Sequence, residues 1–494
     1  MKLSEVLKII SYKESNIVDS NVLFTNISCD SRNIKEGGLF VAIRGESDDG
    51  GNYIKEAVKN GAVAVIIDKN SGVSIPESVS YIIVNNVREE YAKLASLFFD
   101  YPSRHIKVIG ITGTNGKTTI AFLIQHILKS HAPCGMLSTI IYDTGRQRLD
   151  AGQTTPDAYY INQFLKEMIK NKCKYCVMEV SSHALSQSRV DHLNFDAAIF
   201  TNLTQDHLDY HTTMEEYFLS KLRLFKEVSL NKLSFINIDS DYGKRLISEL
   251  PGKYYTYGIN RRADFKADQI HSDLKGLSFN IHADGKCFRV RSPLICLHNV
   301  YNILAAFSYT YNQGIDPHDI VKAINEFSGV VGRLESVYCG QPFHVYIDYA
   351  HTPDAFHNVF SSIKDLKKGK IITVFGCGGN RDRTKRPLMG SIASKYSNNV
   401  IITNDNPRFE DEGTIHADII KGLSPRDGFQ YEVIPERKIA IEKAILMANP
   451  DDIVLILGKG HEEYMIKGKE KIVFSDRKVA KEILEGKFSN ASVK

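Results

Sequence analysis

The run Gly113-Thr114-Asn115-Gly116-Lys117-Thr118-Thr119 does more than any other to limit what this chain can fold into. It follows the apolar stretch from Ile106 to Ile111 and leads into Ile120-Ala121-Phe122-Leu123-Ile124, which reads as a helix. Strand, glycine loop, Lys-Thr and helix in that order is the layout of a phosphate-binding loop. Gly113 and Gly116 let backbone amides approach phosphate oxygens. Lys117 brings a point charge and Thr118 a hydroxyl for a magnesium ion, while the helix N-terminus adds its positive end. The loop is short, because Ile111 stands where the common pattern has its first glycine.

A length of 494 residues suggests about three domains at the usual ~100–200 residues each. The formal charge of +4 is small for this length, so no polybasic role toward nucleic acid or membranes is implied. No apolar run approaches the ~20 residues needed to span a bilayer. The N-terminus, Met1-Lys2-Leu3-Ser4-Glu5-Val6-Leu7-Lys8, reads as an amphipathic helix rather than a signal peptide. A cytoplasmic enzyme is expected, a monomer acting on small molecules with no nucleic-acid or membrane partner. The eight cysteines are scattered, which predicts reduced thiols. Cys173-Lys174-Tyr175-Cys176 is a lone C-x-x-C, without the second ligand pair that zinc would need.

The pattern along the chain predicts an α/β fold in three parts. Residues 1–102 carry short β-branched runs such as Leu39 to Ile43 and Val63 to Ile67, with helical segments between some of them. Residues 103–332 alternate strands and helices, with buried strands over Tyr175 to Val180, Ala197 to Thr201 and Ser234 to Ile238, which argues for a mainly parallel sheet. Residues 333–494 repeat the pattern in a Rossmann-like manner. Four apolar runs there end in polar loops that begin at Asp348, Gly376, Asn404 and Gly458. In an open parallel sheet such loops gather on one edge and form the ligand crevice.

Glu179 closes its strand beside the phosphate loop, well placed to hold magnesium directly or through water. Asp206-His207-Leu208-Asp209-Tyr210-His211 is dense in metal ligands, but a hydrogen-bonded polar turn explains it equally well. The GTPase base signature N-K-x-D is absent, and nothing resembles a kinase catalytic loop. Basic and amide-rich tips in the last part suggest a second substrate with carboxylates, which arginine clamps bidentately. Arg381 and Arg408 are the candidates.

Taken together these residues resemble the Mur ligase family. The short phosphate loop, Glu179-Val180-Ser181-Ser182-His183, Thr201-Asn202-Leu203 with Asp206 to Asp209, and His298-Asn299-Val300-Tyr301-Asn302 are similar to its motifs. So are Gly332-Arg333-Leu334-Glu335, Asp348-Tyr349-Ala350-His351 and Asp405-Asn406-Pro407-Arg408. Asp30-Ser31-Arg32 and Gly38 to Ala42 resemble the family's nucleotide-sugar domain. The resemblance runs through the whole chain in order. It implies a small N-terminal UDP-sugar domain, a central P-loop ATPase domain and a C-terminal amino-acid-binding domain.

It also implies an ATP-dependent amide ligase of peptidoglycan precursor synthesis, in which a carboxylate of a UDP-linked muramoyl dipeptide becomes an acyl phosphate that an amine attacks. Magnesium would be held by Thr118, Glu179 and His207, and by Lys221 as a carbamate. Lys117, Glu179, His207 and Lys221 would be the catalytic set. Gly113 to Thr119, Asn299, Asn302, Arg333 and Asp348 would bind ATP. Ser31, Thr154, Thr155, Ser181, Gln187 and Arg189 would bind the UDP-linked peptide. Arg381, Asp405, Asn406, Pro407, Arg408, Gly458 and Glu462 would bind the amino acid. Arg408 finds a partner in the distal carboxylate of meso-diaminopimelate and none in lysine, so the former is expected. L-lysine, meso-lanthionine and a folylpolyglutamate synthase are the alternatives, and a nucleotide-dependent switch without ligase chemistry is a further one.

Overall fold

The structure is a computed structural model, and it describes residues 1–45, 48–73, 75–76, 79–228, 232–250, 252–364 and 366–488. It divides into two compact units. One holds Met1–Lys266, His282–Lys286 and Tyr301–Ile320, and the other Ala267–Ile281, Cys287–Val300 and Val321–Lys494.

The first unit opens with a five-stranded sheet formed by Tyr12–Asn16 (β1), Asn26–Ser28 (β2), Gly38–Ala42 (β3), Ala62–Asp68 (β4) and Ser80–Val84 (β5), in the order β1-β5-β4-β3-β2. The period of two along β3 decides its packing. Leu39 and Val41 join one apolar cluster with the helix Val87–Phe98 (α1), while Phe40 and Ala42 join another with Ile54 and Ala57. Each fully buried side chain of this kind is worth ~1.5–3 kcal/mol.

The central sheet is built on Lys107–Thr112 (β6), which runs through the phosphate loop into Lys117–Lys129 (α2). Around it stand Cys134–Leu137 (β7), Tyr175–Glu179 (β8), Phe195–Phe200 (β9), Leu233–Asn237 (β10) and Tyr254–Gly258 (β11), in the order β11-β10-β9-β6-β8-β7. All five pairings are parallel, as the alternation predicts. Register matters for the site: Glu179 pairs with Ile111 and Phe200 with Thr112, so the C-termini of β8 and β9 flank the phosphate loop.

In the second unit His344–Asp348 (β12), Ile371–Phe375 (β13), Asn399–Ile402 (β14) and Ile453–Leu457 (β15) form a parallel core in the order β12-β15-β13-β14. The apolar residues of β13 and β15 alternate between two clusters. Ile371, Phe375, Ile453 and Leu455 pack on one face, and Ile372, Val374, Val454 and Ile456 on the other. This is the continuous apolar run of a strand buried on both faces. Its C-terminal tips carry the four polar loops.

Candidate active site

Gly113 leaves β6 at φ +146°, and a Cβ there would lie 1.9 Å from Thr201 Oγ1. The adjoining loop is held from behind by the tip of β9. Asn115 donates its N–H to Asn202 Oδ1 at 3.0 Å, and its carbonyl accepts from Thr201 Oγ1 at 2.7 Å. Gly116, at φ +91°, caps α2 and leaves no room for a side chain beside Asn302 Oδ1. Lys117 curls back over its own loop and donates to the carbonyls of Gly113 and Thr114 at 2.9 and 2.8 Å. Thr119 follows on α2, half-buried.

Glu179 is fully buried, so its carboxylate must be hydrogen-bonded. Thr118 Oγ1 donates to its Oε2 at 3.0 Å. Thr139 donates twice, from its N–H to Oε1 at 2.9 Å and from its hydroxyl to Oε2 at 3.1 Å. Thr139 lies beyond β7 and carries no sequence signal of its own.

Lys221 lies on the helix Met214–Arg223 (α3), and its sequence context is that of an ordinary helix cation. The structure buries it. Its Nζ donates to the Gly113 carbonyl at 3.0 Å and sits 4.5 Å over the Tyr217 ring. Tyr217 OH in turn meets Thr114 Oγ1 at 3.1 Å. Burial, with the Lys117 ammonium nearby, pushes the Lys221 amine well below the usual lysine range. His207 takes a left-handed backbone (φ 54°), with its ring edge-on to His183 at 4.9 Å between centroids. The side chains of Leu208 and Asp209 lie outside the described residues.

The oxygens of Thr118 and Glu179 suit magnesium, which takes one or two protein ligands and otherwise binds substrate phosphates and water. Among the described residues no group of three or more His, Cys, Asp or Glu is arranged to hold a metal. Lys221 as an ammonium does not fit beside a cation, whereas as a carbamate it does.

The residues expected at the UDP-linked peptide divide into two groups. Thr154, Thr155, Ser181, Gln187 and Arg189 come together. Thr155 Oγ1 donates to the Glu179 carbonyl at 2.8 Å and accepts from Ser181 N–H at 3.0 Å. Thr154 meets the Thr139 hydroxyl at 3.2 Å. Arg189 donates to Gln187 Oε1 at 2.7 Å and to the Thr155 carbonyl at 2.9 Å, with a further bond to Gln153. Ser31 stands apart in the N-terminal sheet region, donating to Glu56 Oε2 at 2.7 Å.

Of the residues expected at ATP beyond the loop, Asn302 lies in the first unit and Asn299, Arg333 and Asp348 in the second. Asn299 Nδ2 donates to the Ile295 carbonyl at 2.8 Å. Asp348 accepts from the backbone of Leu334 and Ala350 at 2.7 and 2.8 Å. Burial raises its carboxyl, against the pull of Arg333. Arg333 lies 5.8 Å over the Tyr349 ring, and its buried Nε has no hydrogen-bond partner among the described residues.

The loops after β13 and β14 interlock. Gly379 N–H donates to the Asn406 carbonyl at 2.9 Å, and a Cβ on Gly379 would fall 1.9 Å from the Pro407 carbonyl. Arg408, at φ 53°, donates back to the Gly379 carbonyl at 2.9 Å. Glu410 accepts from Asn380 N–H at 2.8 Å and takes both arms of the buried Arg386 at 2.7 Å. Arg381 is exposed at the same tip. Asp405 is buried and its Oδ2 has no hydrogen-bond partner among the described residues, being 2.8 Å from where a Cβ on Gly458 would stand. Glu462 Oε2 accepts from Asn406 Nδ2 at 3.0 Å and Lys459 Nζ at 2.8 Å. Arg437 and Asp476, both fully buried, pair at 2.7 Å, and Arg437 also donates to the carbonyls of Asn404 and Leu457 at the roots of two of these loops. Arg386, Glu410 and Arg437 escape a sequence reading because their partners are far away along the chain.

Three family models match the chain: "Mur ligase family, catalytic domain" over residues 23–105, "Mur ligase middle domain" over 111–310, and "Mur ligase, glutamate ligase domain" over 332–460. The chain belongs to the Mur ligase family. A relative from Clostridium tetani, named UDP-N-acetylmuramoyl-L-alanyl-D-glutamate--2,6-diaminopimelate ligase, is 41% identical over 491 residues, which is 98% of this chain and 99% of the relative. One of the same name from Aquifex aeolicus is 46% identical over 462 residues, 93% of each chain. A solved structure of a ligase so named superposes with a TM-score of 0.70 at 31% identity, covering 98% of this chain and 99% of that one. The MurF ligase from Thermotoga maritima in complex with ADP shares the fold alone, at 18% identity and a TM-score of 0.60 over 95% of this chain and 98% of its own. The expected Mur ligase architecture and ATP dependence therefore stand. Among the described residues no helix is long and apolar enough to cross a membrane.

Proposed function

We propose that this Mur ligase joins meso-2,6-diaminopimelate to UDP-N-acetylmuramoyl-L-alanyl-D-glutamate at the expense of ATP, in cytoplasmic synthesis of the peptidoglycan precursor. One observation carries the choice of amino acid. Arg408 is fixed by a bond to Gly379 on the loop that presents Arg381, and Glu462 stands on the adjoining strand tip. Two guanidinium groups and a carboxylate suit a zwitterion with an additional carboxylate.

In this reading residues 1–102 take the UDP-sugar, 103–332 the ATP and 333–494 the amino acid. Ser31 would bind the nucleotide, and Thr154, Thr155, Ser181, Gln187 and Arg189 the peptide arm. The loop amides from Gly113 to Thr119 cradle the ATP phosphates. Lys117 exchanges its two backbone carbonyls for phosphate oxygens, which offsets charge as the phosphoryl group moves to the glutamate carboxylate. Asn299, Asn302, Arg333 and Asp348 would serve the base, ribose and phosphates.

Thr118, Glu179, His207 and carbamylated Lys221 would hold magnesium, which when bound neutralises phosphate charge. Lys221 reaches that state through a buried amine whose lowered pKa favours the neutral form: the nitrogen lone pair adds to carbon dioxide and the displaced proton leaves to solvent. The amine of the amino acid then attacks the acyl carbon, the C–N bond forms as phosphate leaves, and the amine loses a proton. Arg381, Asp405, Asn406, Pro407, Arg408, Gly458 and Glu462 form the wall that orients it.

Phosphate release from ATP should require both the UDP-linked dipeptide and the amino acid. In a competition among diaminopimelate, L-lysine and meso-lanthionine, diaminopimelate should be taken in preference. Equal turnover of L-lysine would remove the argument from Arg408.

A further inference from the structure

Lys459 is the second residue of the run Gly458-Lys459-Gly460-His461-Glu462 that follows β15, and its side chain is 0% exposed. A buried ammonium is costly unless it is paired and hydrogen-bonded. Here it has three neighbours: Glu462 Oε2 at 2.8 Å, Asn406 Oδ1 at 3.3 Å and the face of the Tyr464 ring at 5.8 Å. Being enclosed, it is not itself a substrate contact.

The effect falls on Glu462. Its Oε2 takes the Lys459 ammonium and also Asn406 Nδ2, at 3.0 Å. Among the described residues its Oε1 has no donor. Asn406 is meanwhile used up in this framework, because its Oδ1 also accepts the N–H of Ile466 at 2.8 Å. The carboxylate is thus held by one oxygen with the other presented. The pairing is also one of opposite charge, the Lys459 ammonium lying 2.8 Å from the Glu462 carboxylate.

We infer that Lys459 is a positioning residue of the amino-acid pocket: it pins Glu462 through Oε2 so that Oε1 receives the distal ammonium of the diamino acid. Without Lys459 the Glu462 side chain would have to be ordered by the substrate itself, and that cost comes out of binding. The inference rests on the amino-acid pocket proposed above.

A substrate change separates the two ideas. 2-Aminopimelate keeps both carboxylates and lacks the distal amine. The wild-type chain should prefer diaminopimelate over 2-aminopimelate about tenfold or more in kcat/KM. In Lys459→Met the preference should fall to about twofold or less, with kcat and the KM for ATP near wild type, as for loss of a positioned contact. Lys459→Gln serves as a second variant should the first fail to fold, and Glu462→Gln should erase the preference in the same way. A Lys459 variant that kept the full preference, or lost kcat and both substrates alike, would overturn the inference while leaving the pocket standing. A wild-type chain with no preference would overturn the pocket reading and the inference with it.

Discussion

Lys117 and Lys221 bring two ammonium groups to one acceptor, the Gly113 carbonyl, at 2.9 and 3.0 Å. Like charges this close in a buried site cannot both be held cheaply, and in Lys221, the more enclosed, burial and the Lys117 ammonium lower the amine well below the usual lysine range. A neutral amine is what carbon dioxide needs. Activity should therefore drop in buffer stripped of carbon dioxide and return with bicarbonate. The sign with pH follows: the native amine is neutral above its lowered value and protonates as pH falls through it, so bicarbonate should restore less at acid pH. Lys221→Ala should lose about 100-fold or more in phosphate release, as for removal of a principal electrostatic group, and short carboxylic acids should recover part. A folded variant that no carboxylate rescues would count against the carbamate.

Gly113→Ala tests the loop geometry. The new methyl group would meet Thr201 Oγ1 at 1.9 Å in a backbone conformation that L residues rarely adopt. The loop cannot keep both its path and its bonds to Thr201 and Asn202. ADP should then give little or no protection in thermal melts, while the unliganded melting temperature falls by only a few degrees, as for a local defect of about 1–2 kcal/mol.

The Arg437–Asp476 pair offers a test of stability. Both members are fully buried. Asp476→Asn or Arg437→Met leaves an uncompensated charge, at a cost of about 3–5 kcal/mol. Urea unfolding should show a lower midpoint for either, and the double variant Arg437→Met/Asp476→Leu should lie well above the sum of the two losses.

Acid stability is set in part by Glu410 and Asp418. Glu410 is lowered from 4.5 to about 2, first by its bonds to Arg386. Asp418 is lowered from 3.8 to about 2, first by Lys421 and also by Arg383 and Arg386. Both native carboxyls hold protons less readily than unfolded ones. Their stabilisation is present above pH 4.5 and is lost as pH falls toward 2. Melting temperatures followed over that window should fall less steeply for Glu410→Gln and Asp418→Asn than for the wild type. Parallel curves would show that neither carboxylate contributes.

What could be read in the sequence was whatever is written in consecutive residues. The phosphate loop, the strand-end Glu179 and the Asp405 to Arg408 run can each be seen within a few consecutive positions. What could not be read depends on contacts made across the fold. Lys221 looks like any solvent-facing helix cation until the Gly113 carbonyl, 108 positions away, is seen beside it. Thr139 gains its place because β7 and β8 are neighbours, which brings two more donors to Glu179. Lys459 stands in a run that was legible as a polar tip, yet one of its partners is Asn406, 53 positions earlier.

The interlock of Gly379 with Asn406 and Pro407 bears on how such a ligase could acquire a different amino acid. The loop after β13 cannot gain a side chain at Gly379 unless the loop after β14 moves, because the Pro407 carbonyl fills that space. A chimaera that received one loop from another Mur ligase would inherit a mismatch, and only exchange of both segments as a cassette offers a passable route. If these loops form the amino-acid pocket proposed above, specificity should move between homologues in steps of two loops or not at all.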